Sequence, residues 1–325
     1  MAAATSPPRP GHSPDGATFI KALAESGSLA SVPSSYIFTN DPLDQAVSDP
    51  EESIPIIDLS LLTSGSPDQR SKAIRDLGKA CQEWGFFMVI NHGVSESLIE
   101  MMMDSCRQFF DLTEEEKKEF QGKHVLDPIR CGTSFNLSVD KVLFWRDYLK
   151  VFVHPEFHSP NKPPKFSDNS MEYCKIIHQV ARELLKGISE SLGLEALYID
   201  KAMNLDLGFQ ILIANLYPAW KWVNVKAVPN SFLVNTADHI EILSNGKYKS
   251  VVHRAVVNSE VARISLAVAN GPSLDTVVRP AAELVDDGDS QPAYVGTKYR
   301  ECLQLQQSNQ LDGKSCLDRV MVSCN

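Results

Sequence analysis

Hydrophobic and polar positions divide this chain into two textures. Before Gly208 the apolar residues recur mainly at the spacing that lines one face of a helix. Beyond it they come in short strand-like runs broken by Pro, Asn, Asp and Gly. ATFIKALAESG predicts a short helix, and SVPSSYIFTNDPLD an extended, proline-punctuated connector. IPIIDLSLL reads as a β-branched run. In SPDQRSKAIRDLGKACQEWG, Ala73, Ile74, Leu77, Ala80 and Cys81 fall on one helical stripe that Gly85 stops. FFMVINHG reads as a buried strand. Another helix follows with Ser95 or Ser97 as its cap, and Thr113 to Glu116 place a capping box at the start of a further one.

From Ser170 to Leu192 a long helical stripe (Ile176, Ile177, Val180, Ala181, Leu184) predicts a brace for a sheet, ended by Gly193. Past Gly208 the runs FQILIANLY, KWVNVKAV, SFLVNT, YKSVVHRAVV and ARISLAV predict the strands of a β-sandwich or jelly roll. The last segment, AYVGTKYRECLQLQQSNQLDGK, predicts a helix folding back over that sheet. The expected class is therefore α+β, with a helical N-terminal region and a β-rich core.

Composition narrows the function. The 325 residues, 43% hydrophobic and 22% charged, suffice for one large core or two modest domains. A net charge of −10 with no Lys/Arg run excludes a phosphate-neutralising surface, so nucleic acid is not an expected partner. Seven scattered cysteines, never spaced as CxxC, argue against a disulfide framework or a thiolate zinc site and fit a reducing cytosol. The Pro/Ser/Ala-rich N-terminus lacks a signal-peptide pattern, and no run approaches membrane-spanning length. A cytoplasmic protein with a flexible tail is expected.

The chemistry concentrates between Tyr248 and Asn270. There a strand carrying His253 would turn around Asn258-Ser259-Glu260 and return carrying Arg263 and Ser265. Two residues apart on a strand, Arg263 and Ser265 face the same side, and a hairpin with Ser265 opposite His253 would aim all three together. A guanidinium with a neighbouring hydroxyl suits one carboxylate of a small dicarboxylic acid, with His253 as a metal ligand beside it. The spacing equally allows Arg263 to reach solvent or a surface carboxylate, and His253 to be an ordinary strand histidine.

Longer stretches break that tie. NLYP (Asn215 to Pro218), KWVNVKAVPNSFLVN, LSNGKYKSVVHRAVVN and RIS resemble the C-terminal half of plant 2-oxoglutarate/Fe(II)-dependent dioxygenases, the group that includes flavanone hydroxylases. IPIIDLSLL, WGFFMVINHGV, FFDLTEEEKKEF and FWRDYLKVFVHP are similar to the earlier parts of that family, so the resemblance covers nearly everything after Ile54. It implies a double-stranded β-helix, or jelly roll, holding iron through a His-x-Asp pair and a distal His, with positions open for 2-oxoglutarate and dioxygen. His253 matches the distal His. Arg263 and Ser265 match the Arg-x-Ser pair that holds 2-oxoglutarate, and Tyr217 and Asn215 match positions near the same cosubstrate. Fe(II), 2-oxoglutarate and optionally ascorbate are the cofactors implied. The implied reaction is hydroxylation or desaturation of a small aromatic or phenolic metabolite.

One departure changes the expectation. After LYPA the family continues through the His-x-Asp strand, whereas here Trp220-Lys221-Trp222 follows at once, and no histidine is followed two residues later by Asp. His154-Pro155-Glu156 and His239-Ile240-Glu241 are the His-x-Glu alternatives, and His239, Glu241 and His253 could form an improvised site. Asp238 reads as a structural turn residue. The resemblance therefore implies an incomplete jelly roll: residues 1–50 tail and connector, 51–160 an N-terminal dioxygenase-type region, and 161–325 a truncated dioxygenase domain with a C-terminal helix. Two of three iron ligands are absent, no catalytic residue is assigned, and catalysis should be impaired. The alternative is a non-catalytic ligand-binding or interaction protein built on that fold. A monomer is expected.

Overall fold

Capping chemistry sets where the helices begin. The computed structural model describes residues 19–26, 33, 36, 53–122, 124, 126–133, 144–218, 228–251, 253, 262–285, 291–308 and 315–322. Helix α1 spans Ile20–Glu25, strand β1 Ile56–Asp58, and helix α2 Leu59–Thr63. The single run expected over IPIIDLSLL therefore splits. The Asp58 carboxylate accepts from the backbone N–H and hydroxyl of Ser60, and this cap turns the chain from strand to helix. Helix α3 (Pro67–Glu83) opens on a Ser66/Gln69 capping box with Pro67 in its first turn, and it buries Ala73, Leu77, Ala80 and Cys81. Gly85 follows at φ +69°, where a Cβ would stand 2.6 Å from the Lys249 carbonyl oxygen, so only glycine fits this stop.

Strand β2 (Phe86–Ile90) is followed by α4 (Glu96–Asp111), capped by Ser95, and α5 (Glu114–Lys118), opened by the expected Thr113/Glu116 box. Strands β3 (Ile129–Gly132) and β4 (Asp147–His154) precede the 26-residue α6 (Phe166–Ser191). That helix starts four residues before Ser170 and ends ahead of Gly193 at φ +80°. Then come α7 (Tyr198–Met203), β5 (Phe209–Tyr217), β6 (Phe232–Asn235), α8 (Ala237–Leu243) and β7 (Arg263–Gly271). The short strands β8 (Val277–Val278) and β9 (Thr297–Lys298) lead into α9 (Tyr299–Ser308) and α10 (Ser315–Val320).

Three sheets result: β1-β2-β6, the antiparallel β3-β4-β5-β7, and the β8-β9 pair. Among the described residues these sheets do not close into a barrel. One face of the four-stranded sheet carries Leu149, Val151, Leu212, Ala214 and Leu216, each at most 6% exposed, in one core with Cys174, Ile177, Val180 and Leu184 of α6. The other, here called the interior face, carries Phe152, Phe209 and Ile211, and Tyr299 and Leu303 of α9 pack on them as expected for the C-terminal helix. Burial of these two apolar layers is the main favourable term holding the sheet.

Ile20 and Leu23 of α1 pack with Trp145, and the backbone N–H groups of Ile20 and Lys21 donate to the fully buried Asp147 carboxylate at 2.7 and 2.8 Å. No helix among the described residues is long and apolar enough to cross a membrane. The KWVNVKAV run lies almost entirely outside the described residues. So does half of YKSVVHRAVV, whose described part, including His253, is not in a strand.

Candidate functional site

The interior face is assembled by register. In antiparallel pairs, residues directly opposite share a face. Tyr217 lies opposite Arg263, and Asn215 opposite Ser265 on one side and Tyr148 on the other. The alternation that put Arg263 and Ser265 on one side therefore holds. Their described partner, however, is β5 and not a hairpin strand carrying His253. A central strand with nine apolar-rich residues buries more by pairing along its whole length than a local turn can offer.

The four cosubstrate candidates touch. Asn215 Nδ2 donates to Ser265 Oγ at 3.4 Å, and the Arg263 guanidinium stacks 4.9 Å from the Tyr217 ring centre. Arg263 does not point into a core as its strand position suggested: it is exposed at the open start of β7, with its planar group laid on an aromatic face. A fifth residue joins them. Arg146 Nη1 donates to Asn215 Oδ1 at 2.8 Å, and its guanidinium lies 4.6 Å from the Phe144 ring centre. Burial lowers the Arg146 pKa, which the neighbouring Tyr217 opposes, and the group stays cationic. The signal for Arg146 is present in FWRDYLKVFVHP, where Arg146, Tyr148, Lys150 and Phe152 alternate with Asp147, Leu149, Val151 and Val153.

The ends of this cluster suit an anion. Arg263 offers a bidentate fork, Ser265 a hydroxyl and Tyr217 a phenol, which together can bind one carboxylate through charge-assisted hydrogen bonds.

The candidate metal ligands are not brought together. His253 is exposed, and its Nδ1 lies 3.2 Å from the Val251 carbonyl oxygen. The Glu241 carboxylate accepts from the Ser250 N–H at 2.6 Å and from the Tyr294 hydroxyl at 2.8 Å, which makes it a structural acceptor. His239 packs edge-on against Tyr299. His154 Nδ1 sits 2.7 Å from the Gly208 carbonyl oxygen, and its ring stacks on His178. Asp238 accepts from Ser250 Oγ at 2.6 Å, in keeping with its turn reading. Among the described residues no group of three His, Cys, Asp or Glu side chains is placed to hold a metal ion. Among the described residues the donor set therefore does not supply the two imidazoles and carboxylate that Fe(II) needs on one side of the ion.

Comparison with known proteins agrees with the fold. Residues 54–172 match the family model described as non-haem dioxygenase in morphine synthesis, N-terminal, and residues 197–272 match the 2OG-Fe(II) oxygenase superfamily. The chain is 43% identical to 2-oxoglutarate-dependent dioxygenase 19 of Oryza sativa subsp. japonica, over 84% of this chain and 91% of the relative. That alignment runs over 309 residues, of which 84% of 325, or about 273, come from this chain, leaving about 36 positions without a counterpart here. Flavanone 3-dioxygenase 2 of the same plant is 33% identical over 85% of this chain and 89% of its own. The crystal structure of JOX2 in complex with 2OG, Fe and JA superposes with a TM-score of 0.80 at 26% identity, covering 96% of this chain and all of that one.

Proposed function

The chain belongs to the 2OG-Fe(II) oxygenase superfamily, and from that premise we propose that it keeps the 2-oxoglutarate clamp but has lost catalytic competence. The observation that carries the reading is the Arg263–Tyr217 and Ser265–Asn215 pairing across β5 and β7, which gathers four polar side chains at one end of the interior face. Arg263 and Ser265 would bind the distal carboxylate of 2-oxoglutarate, while Tyr217 and Asn215, held by Arg146, would orient it.

When bound in complete relatives, iron activates dioxygen for hydroxylation or desaturation of a small aromatic or phenolic metabolite. Here the sequence contains no His-x-Asp, and His253 would be left as a lone ligand. The roughly 36 unmatched positions against the rice relative support loss of the block that carries the pair. Losing one partner in the outer shell of a metal site commonly weakens it about 10- to 100-fold, so losing two direct ligands costs more. The domain limits drawn from the sequence, a cytoplasmic location, a monomeric state and a binding role without turnover complete the reading.

Calorimetric titration and metal analysis of the purified chain test it. The expected result is 2-oxoglutarate binding that Arg263→Ala weakens by about tenfold or more, no stoichiometric Fe(II) and no succinate. Stoichiometric Fe(II) with succinate formation would refute the loss of catalysis, and 2-oxoglutarate binding indifferent to Arg263→Ala would refute the clamp.

A further inference from the structure

Helix α1 grips the two residues that flank Arg146. Its Ile20 and Leu23 pack with Trp145, whose indole also meets Tyr36 edge-on with ring centres 5.1 Å apart. Two positions further, the buried Asp147 carboxylate accepts from consecutive N–H groups of α1, Ile20 at 2.7 Å and Lys21 at 2.8 Å. Between these anchors the Arg146 side chain leaves for the interior face, as the two-residue alternation of an extended chain requires. There it bonds two of the four clamp residues, donating to Asn215 Oδ1 at 2.8 Å and to the Tyr217 phenol oxygen. Asn215 in turn donates to Ser265 Oγ.

Six residues are too few to sustain a helix alone, so α1 depends on what it touches. Besides Trp145 and Asp147 it meets the corner between α4 and α5. Lys21 reaches Asp111 at 3.3 Å, and the Lys117 ammonium lies 4.7 Å from the ring centre of Phe19, the residue before the helix. The dependence is mutual. Without α1 the enclosed Asp147 carboxylate would lose both of these donors, and a buried carboxylate without donors is costly enough to make its segment shift toward water. Arg146 is covalently tied between Trp145 and Asp147, so such a shift moves the guanidinium away from Asn215 and Tyr217. The contacts thus run without a gap from α1 through Trp145 and Asp147 to Arg146, Asn215 and Ser265.

We propose that α1 is a strap that sets the clamp: docked, it fixes Arg146 against Asn215 and Tyr217, and undocked, it lowers the affinity of the chain for 2-oxoglutarate. Trp145 and Asp147 are then positioning residues that act through Arg146. The inference rests on the clamp reading for the ligand, but the strap has its own residues and its own readout.

Calorimetric titration of the full chain with 2-oxoglutarate tests it. Leu23→Asp sets a carboxylate against Trp145 and should weaken binding about 3- to 30-fold, whereas Leu23→Met should stay within about twofold of wild type. Arg146→Gln should weaken binding comparably. The double variant should bind within about twofold of Arg146→Gln, because the strap acts only through that arginine. Leu77→Ala, in the core under α3, controls for general destabilisation and should keep affinity within about twofold. Unchanged binding by Leu23→Asp or Arg146→Gln, losses that multiply in the double variant, or an equal loss in Leu77→Ala would overturn the strap. If Leu23→Asp did not fold, Leu23→Ala would replace it and be judged by the same outcomes. If wild type bound no 2-oxoglutarate, the clamp reading would fail and amide hydrogen exchange would decide the strap separately. Faster exchange over residues 144–148 and 214–217 in Leu23→Asp than in Leu77→Ala would support it, and equal exchange would overturn it.

Discussion

Strands β4 and β7 belong to one sheet and yet live in different environments. Seven of the eight residues of β4 are buried, whereas of the nine in β7 only Gly271 is. The central strand is sealed on both faces, by the α6 layer on one side and by α9 and its neighbours on the other. Strand β7, last in its sheet among the described residues, keeps its alternation, with Ile264, Leu266 and Val268 turned toward the α6 core, while Arg263, Ala267 and Ala269 on the opposite side are exposed. The four candidate residues divide along this line: Arg263 is exposed and Ser265 half-buried on β7, whereas Tyr217 and Asn215 opposite them on β5 are buried. An enclosed site strengthens electrostatic contacts and excludes water, and an open one does neither.

The contrast predicts unequal costs. Leu149→Ala in β4 should cost about 2–5 kcal/mol of unfolding free energy in denaturant titration, because the side chain is 1% exposed and leaves a cavity. Ala267→Ser on the exposed side of β7 should stay within about 0.5 kcal/mol. Equal losses at the two positions would mean that β7 is as enclosed as β4.

A smaller effect probes the cover on the interior face. A Cβ on Gly271 would overlap the Tyr299 phenol, so Gly271→Ala must displace the first residue of α9. Overpacking of this kind should cost about 1–3 kcal/mol, and Gly271→Ala combined with Tyr299→Leu should recover part of it. No recovery would show that α9 does not close that face through Tyr299.

The mildest test sits at the other end of β4. Burial raises the Asp147 carboxyl to about 6 even though two backbone N–H groups and Lys117 oppose the rise. The folded value lies above the unfolded carboxylate range near 4, so the folded state holds the proton longer. Stability from this group is therefore present below about pH 4 and lost as pH rises through about 6. Asp147→Asn, which keeps an acceptor for α1, should gain stability relative to wild type across that window. Parallel stability curves for the two proteins between pH 4 and 7 would contradict the buried assignment.

Much of the fold is legible in the chain, and the parts that are not share a cause. The Thr113 capping box, the Ser95 cap, the α3 stripe and the glycine stops are statements about residues a few positions apart, and they hold. IPIIDLSLL reads as one run because its composition is uniform, but a single carboxylate at Asp58 decides where strand becomes helix. The alternation of Arg263 and Ser265 is legible, whereas their partner is not. Ser265 meets Asn215 fifty residues earlier in the chain, a choice made by the length and burial of β5. The alternation in FWRDYLKVFVHP separates Arg146 from Asp147, but only the fold shows that the guanidinium meets Asn215 while Asp147 meets α1.

By itself the sequence determined which family this chain belongs to, that Arg263 and Ser265 share a face, and that no His-x-Asp pair exists to complete an iron site. Those facts depend on residue identity and on the two-residue period of a strand, which hold whatever the strand packs against. Only the tertiary structure decided that Arg263 is exposed while Tyr217 opposite it is buried, that no three candidate metal ligands come together among the described residues, and that Lys150 lies opposite Arg130. Each of these is a contact or a burial between distant segments, set by sheet register and packing, which no local pattern encodes.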